Sequence, residues 1–360
     1  VSAVADLADL PGPPDLPGLP AAAVRGWLRG NVPEADLSGR WAPEMIAGGL
    51  SNITYRLPLP SGPLILRRPP VGPLLPRAHD VAREYRVLAA LAPTPVPVPV
   101  PLGLCADPAV IGAPFYVMRE VSGEVLRTRA DTGALTVAQR SAVADELAST
   151  LAALHAVDPV AAGLGDFGRH GGYCARQLAT WGAQWERSRT RDLPEMTRLL
   201  AALAERAPAD SATSVVHGDY RLDNVIMALG GARPRIGAVL DWELSTLGDP
   251  LADLGTTLAF WHDEGDAERA LVPVAAGVTA WPGFPTAAEF AARYAAVSGR
   301  ELRDLGFYLA LGTMKIAVIL EGVHARYLAG QGAGPGYDAV GAAVPTLVAR
   351  SLRQLRAAVM

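Results

Sequence analysis

Residues 214–253 carry two carboxylates and a carboxamide, Asp219, Asn224 and Asp241, beside two short apolar runs at 225–227 and 236–240. A loop with paired glycines separates the runs and reads as a hairpin turn. If the runs pair antiparallel, Asn224 and Asp241 meet at the open end of the hairpin. Asp219 lies a few residues upstream, after the apolar step Val215-Val216 and the small residue Gly218. Oxygen ligands of this kind suit Mg²⁺, which takes one or two carboxylates together with substrate phosphates and waters. The chemistry to expect is phosphoryl transfer. For any one of these residues alone, a capping aspartate at a hairpin end is the plainer reading.

The order of the segment is more specific than its parts. His217-Gly218-Asp219, then Asn224, then Asp241-Trp242, then Gly248-Asp249-Pro250 and Asp253 resemble the signature of the aminoglycoside phosphotransferase family, a small-molecule branch of the protein-kinase-like fold. The resemblance extends over most of the chain after the first twenty or so residues. It implies an α+β fold of two lobes, a small antiparallel-sheet N-lobe and a mostly helical C-lobe. It implies further that Asp219 is the catalytic base, that Asn224 and Asp241 hold Mg²⁺, and that ATP or GTP is the phosphoryl donor. The runs Leu66-Arg67-Arg68-Pro69-Pro70 and Glu84-Tyr85-Arg86-Val87-Leu88, with residues 240–250 and 312–327, resemble the kinase-like domain of acyl-CoA dehydrogenase family proteins. That subgroup implies a hydroxylated acyl-CoA or similar metabolite as the small-molecule hydroxyl acceptor. An antibiotic phosphotransferase and a nucleotide-binding pseudokinase are the alternatives.

The elements that must position these residues divide the chain into a flexible proline-rich arm at 1–20, a nucleotide-binding N-lobe at 21–118 and a C-lobe at 119–360 with the catalytic loop and acceptor site. After a short helix at 21–29, strand signals occur at 44–47, 52–59 and 63–67. Gly48-Gly49-Leu50-Ser51-Asn52 lies between the first two, and paired glycines let backbone amides approach an anion. Gly48, Gly49, Ser51 and Asn52 are therefore the candidates over the ATP phosphates; a ligand-free Gly-Gly hairpin is the alternative. Alternation along the third strand puts Arg67 opposite Leu64 and Leu66. Arg67 stands where related kinases carry a phosphate-gripping lysine, with Arg68 close enough to confuse the alignment. In the helix at 79–92, Val81, Tyr85 and Leu88 mark the buried stripe and Glu84 borders it. A carboxylate on an inward face needs a cation, so Arg67 and Glu84 are the expected pair.

The proline-rich stretch 93–101 is stiff and extended, and 116–121 reads as the hinge strand near the adenine. An amphipathic helix follows at 138–157, with His155 as a structural residue at its end. Trp181 and Trp185 shape the acceptor pocket or pack the core. Asp249 caps a helix that Pro250 opens, Asp253 braces the catalytic loop, and His217 orients it. The remainder from 289 is helical. Lys315 is the sole lysine in the chain. With Arg326 it reads as a surface charge on a long helix, or else as a contact for an anionic substrate.

Composition fits such an enzyme. A chain of 360 residues, half of them hydrophobic, supports two lobes. A net charge of -4 offers no basic field for nucleic acid. Cys105 and Cys174 are far apart without CxxC spacing and read as reduced core residues, not zinc ligands. The first twenty residues lack a basic start and an unbroken apolar region, and no later stretch spans a membrane free of charge or proline. These features suggest a cytoplasmic protein without membrane partners, and they leave the oligomeric state open.

Overall fold

The computed structural model describes residues 15–39, 41–46, 52–72, 80–331 and 339–357. The chain forms two compact units, one of Val1–Pro93 with Val98–Val121 and one of Thr94–Pro97 with Ser122–Met360. The expected boundary at 118/119 thus falls three residues early. Glu120 still donates its N–H to the Pro63 carbonyl of the first unit at 3.2 Å. Within the second unit, Pro97 accepts from Val239 N–H at 2.8 Å, which ties the short segment Thr94–Pro97 to that unit.

The first unit contains α1 (Ala21–Asn31), β1 (Glu44–Ile46), β2 (Ile53–Leu57), β3 (Leu64–Arg68), α2 (Val81–Leu91), β4 (Pro101–Cys105) and β5 (Phe115–Arg119). The strands form one antiparallel sheet in the order β1-β2-β3-β5-β4. Tyr55, Leu57, Leu66, Phe115 and Val117 make its core with Val24 and Leu28 of α1, and Trp27 meets Phe115 edge-on at 4.9 Å between ring centroids. Residues 15–20, expected to belong to a free arm, belong to this core. Asp15 accepts from Ala21 N–H at 2.8 Å at the start of α1, Leu19 is fully buried, and Tyr55 OH donates to the Pro17 carbonyl. The rest of that arm lies outside the described residues.

Asp80 opens α2 by accepting from Arg83 N–H at 3.0 Å. The buried stripe of α2 is Val81, Glu84, Val87, Leu88 and Leu91, so Val81 and Leu88 face inward as expected with Glu84 among them, and Tyr85 is only half-buried.

The second unit is mostly helical: α3 (Arg129–Gly133), α4 (Val137–Ala156), α5 (Tyr173–Ser188), α6 (Pro194–Glu205), then β6 (Ser214–Val216), β7 (Val225–Ala228), β8 (Arg235–Val239) and β9 (Thr246–Gly248), then α7 (Pro250–Phe260), α8 (Ala287–Ser298), α9 (Leu305–Leu328) and α10 (Val340–Ala357). The hairpin β7–β8 forms with Val225 opposite Val239. A second ladder, β6 with β9, pairs Val215 with Leu247 across the whole of that hairpin and has no tight turn of its own to announce it. Capping boxes open α4 at Thr136 and Gln139 and α8 at Thr286 and Glu289.

Helices α7 and α9 pack backbone to backbone where Gly255 meets Gly312. A Cβ on Gly312 would lie 2.7 Å from the Gly255 carbonyl, and one on Gly255 would strike that of Tyr308. Among the described residues α9 is the one helix long and apolar enough to cross a membrane, yet 78% of its most apolar window is buried inside the protein.

Candidate active site

The loop that leaves β6 is fixed at nearly every polar group. Gly218 has φ +82, and a Cβ there would lie 2.8 Å from the Leu244 carbonyl, so both backbone and space require glycine. The Asp253 carboxylate on α7 accepts from the backbone N–H of His217 at 2.7 Å and of Gly218 at 2.8 Å. The His155 Nε2 lies 3.2 Å from the same carboxylate, and its Nδ1 lies 2.7 Å from Tyr294 OH. Burial works to raise the Asp253 carboxyl, but the hydrogen bond and charge of His155, with the backbone hydrogen bond from His217, outweigh it and hold it below the usual carboxylate range. His217 takes the tautomer with Nε2 protonated, donating to the Leu240 carbonyl at 2.8 Å while Nδ1 accepts from Asp219 N–H at 3.2 Å. The bracing expected of Asp253 and the orienting role expected of His217 both take this form.

Asp219 therefore stands on a clamped backbone with its side chain 20% exposed. Its Oδ2 accepts from Asn224 Nδ2 at 3.1 Å and Arg221 Nη2 at 3.0 Å. The Asn224 amide nitrogen also donates to the Asp219 carbonyl at 2.9 Å, which leaves Oδ1 for another partner. The Asn224 carbonyl accepts from Leu240 N–H at 2.8 Å, continuing the β7–β8 ladder to its open end. Asp241 follows there with φ 63, in the left-handed region that Asp tolerates better than most residues. The structure thus brings Asn224 directly to Asp219 and puts Asp241 beside the residue bonded to Asn224. An amide oxygen and a carboxylate, both hard oxygen donors, fit Mg²⁺.

Two cations stand at this loop, Arg221, which the sequence reading did not single out, and Lys315, which it placed at the surface or against an anionic substrate. Arg221 bridges Asp219 and, at 3.2 Å, Asp223, with its guanidinium 4.7 Å from the Phe260 ring centroid. Burial raises the Asp223 carboxyl, against the pull of Arg221. The signal for Arg221 was local: it sits two residues after Asp219, at extended φ and ψ, where alternate side chains share a face. Lys315 is buried, not a surface charge, and donates from Nζ to the Gly218 carbonyl. Its ammonium lies 5.5 Å from the Trp181 ring centroid. Burial lowers the Lys315 pKa, and the charges of Asp219 and Asp253 oppose that shift. Arg326 is exposed. The apolar cavity bounded by Leu147, Leu222, Phe260 and Val278 next to Arg221 measures about 20 Å³, room for one water and no acceptor.

The first unit contributes a second constellation. Arg67 Nη1 lies 3.0 Å from Glu84 Oε1, with the two side chains 13% and 2% exposed. Asn52 Nδ2 reaches the other Glu84 oxygen at 3.4 Å, so its amide is turned toward the carboxylate. Arg68 goes elsewhere, donating to the carbonyls of Gly18, Pro69 and Ile111. Of the two arginines, Arg67 is the one paired with Glu84. Gly48, Gly49 and Ser51 lie outside the described residues.

Cys174, Asp210 and Asp249 offer ligand atoms within 4.8 Å of one another. Both carboxylates are engaged, Asp210 by Tyr173 N–H and Asp249 by Leu251 N–H, Ser211 and Tyr308. That is the helix-capping role expected of Asp249.

The family model for the phosphotransferase enzyme family (APH) matches residues 44–304. Acyl-CoA dehydrogenase family member 10 of Mus musculus is 38% identical over 290 residues, 79% of this chain and 26% of that protein. The chain thus spans about a quarter of the length of that relative. A crystal structure of a candidate aminoglycoside phosphotransferase from Ralstonia eutropha superposes with a TM-score of 0.79 at 35% identity, covering 93% of this chain and 98% of that one. An aminoglycoside phosphotransferase solved as a ternary complex with AMP-PNP and hygromycin B gives a TM-score of 0.58 at 16% identity, covering 93% of this chain and 99% of that one. The sheet unit, the helical unit and the ordered loop are those of the kinase-like fold, and the chain belongs to the APH phosphotransferase enzyme family.

Proposed function

We propose that the protein is a small-molecule kinase that transfers the terminal phosphoryl group of ATP or GTP to a substrate hydroxyl. The observation that carries the reading is Asp219: a partly exposed carboxylate on a clamped loop, held by Asn224 through the amide nitrogen so that the amide oxygen is left for a cation. In the reaction, the acceptor hydroxyl oxygen forms the new P–O bond as the bond between the γ-phosphorus and the β–γ bridging oxygen breaks. The hydroxyl proton passes to Asp219, and the nucleoside diphosphate leaves. Asn224 and Asp241 would hold Mg²⁺, which when bound supplies charge neutralisation to the phosphates. Arg67, braced by Glu84, would grip the phosphates; a guanidinium does so bidentately where an ammonium acts as a point charge. Catalysis on this plan is positioning and charge stabilisation.

For the acceptor, the reading favours a hydroxylated acyl-CoA or similar metabolite. It is supported by the likeness to an acyl-CoA dehydrogenase family protein. The test is phosphate transfer from γ-labelled ATP with Mg²⁺ across hydroxyacyl-CoAs, aminoglycosides and macrolides, with Asp219→Asn and Asp241→Ala as controls. Labelling of a hydroxyacyl-CoA that is lost in both variants is expected. Labelling of a drug instead would move the protein to antibiotic modification, and nucleotide binding without any turnover would make it a pseudokinase.

A further inference from the structure

The sole lysine of the chain lies on α9, 97 residues beyond the carbonyl it holds. That carbonyl belongs to the peptide immediately before Asp219. The same residue, Gly218, gives its N–H to Asp253 of α7, so the two ends of one glycine are gripped by two helices. Those helices are locked to each other at Gly255 and Gly312. Gly255 lies two residues beyond Asp253, and Gly312 three residues before Lys315.

The choice of residue type is informative. Everywhere else the chain uses arginine for its long basic side chains. A guanidinium is planar and longer, whereas an ammonium is compact and presents three donors in any direction. A surface charge in this arginine-rich chain has no need of that difference; a cation seated between a carbonyl and the Trp181 ring does. Burying an ammonium is costly unless it is paired. One carbonyl, a ring face and the charges of the Asp219 and Asp253 carboxylates offset it for Lys315.

We infer that Lys315 is a positioning residue for the transfer reaction: by holding the Gly218 carbonyl it fixes the direction in which Asp219 faces the acceptor. The inference rests on the kinase reading for its catalytic consequence but not for its geometry. Loss of Lys315 frees the carbonyl of Gly218 while Asp253 retains its N–H, so the loop gains motion without the fold being lost. The effect falls on kcat, because nucleotide contacts lie elsewhere in the chain.

The experiment compares wild type, Lys315→Met and Lys315→Arg in the full chain by hydrogen exchange at the amides of residues 218–220 and by Mg²⁺-dependent hydrolysis of ATP, with water as the acceptor. Lys315→Met is expected to speed exchange at these amides tenfold or more, leave exchange in α4 unchanged, and lower kcat at least tenfold with KM for ATP within twofold. Lys315→Arg, which keeps the charge and a donor, is expected to fall between wild type and Lys315→Met in both readouts. Should Lys315→Met fail to fold, Lys315→Arg decides: faster exchange at 218–220 than wild type supports the role, and wild-type exchange overturns it. Unchanged exchange and kcat in Lys315→Met would overturn it as well. Absence of hydrolysis in the wild type would defeat the kinase reading, and the exchange comparison would still judge the positioning role.

Discussion

Replacing Asp253 by asparagine keeps the shape of the side chain and removes its charge. In the native loop the two carboxylate oxygens accept from the backbone N–H groups of His217 and Gly218, and one of them also lies 3.2 Å from His155 Nε2. Asparagine has one acceptor oxygen and one NH₂ group, so at least one of the two backbone donors then faces another donor. A hydrogen bond to a charged partner is worth about 1.5–3 kcal/mol, and a buried donor left unsatisfied costs about 1–3 kcal/mol more. The site is sealed, with Asp253 1% exposed, so water cannot substitute. The expected loss is about 3–5 kcal/mol at pH 7. Urea unfolding measures it, and Trp242, whose ring lies 4.7 Å from that of His217, reports the loop by fluorescence.

The pH dependence supplies a second check. A carboxyl held below its ordinary value contributes stability that is present above the unfolded pKa, about 3.9, and is lost as pH falls through the folded value. The gap between wild type and Asp253→Asn is therefore level near neutrality and narrows as pH falls below about 4. A variant within about 1 kcal/mol of wild type at pH 7, or a gap that widens on acidification, would refute the account of Asp253 as the clamp of the loop.

Gly218→Ala is expected to fold less stably by about 1–3 kcal/mol, from φ +82 alone, and to lose most phosphate transfer because the new Cβ displaces the Asp219 loop from Leu244. Thermal unfolding and transfer assays read the two effects, and a fully active variant of native stability would count against the geometry. Arg67→Ala removes the 3.0 Å ion pair with the buried Glu84 carboxylate and should destabilise by about 3–5 kcal/mol, while Arg67→Lys keeps the charge and is expected to retain nucleotide binding; calorimetric titration with Mg-ATP distinguishes them, and binding equal in Arg67→Ala and wild type would remove Arg67 from the nucleotide site. Burial pushes the Cys174 thiol up to about 12, so native protein at pH 8 should react with a thiol reagent far more slowly there than after unfolding. Rapid native labelling at Cys174 would show that the α5 region opens.

What the sequence discloses here is local, and the reasons are visible residue by residue. Asn224 and Asp241 are legible because the hairpin between them is closed by its own apolar runs, so pairing register carries them to one end. Arg67 and Glu84 are legible by a different route, since strand alternation and helix phase are both short-range rules; Val81 and Leu88 fix the inward face, and Tyr85 falls at its half-buried edge. The ladder of β6 with β9 is not legible, because three-residue strands thirty residues apart carry no turn signal. Lys315 is hidden for a related reason. Its apolar neighbours describe a core helix, and nothing within α9 says that its ammonium meets a carbonyl 97 residues earlier. That contact depends on Gly255 and Gly312 letting two helices touch, a property of neither helix alone.

The division bears on what a chain of this family must keep to remain an enzyme. The acid–base and metal candidates, Asp219, Asn224 and Asp241, sit on segments whose conformation is set within a few dozen residues. The groups that aim Asp219 arrive from α7 and α9, so the loop's geometry depends on helix packing, and its precision is set by how tightly Gly255 and Gly312 approach. A larger residue at either glycine would push apart the helices that carry Asp253 and Lys315 and loosen both ends of the Gly218 peptide together. Gly312→Ala should therefore lower kcat without touching any group near the phosphates, and Lys315→Met made on top of it should lower kcat by less than it does alone, because the grip it removes is already weakened. If the two substitutions instead multiply in their effects on ATP hydrolysis, the helices and the lysine act on the loop independently, and the single clamp drawn from their geometry is wrong.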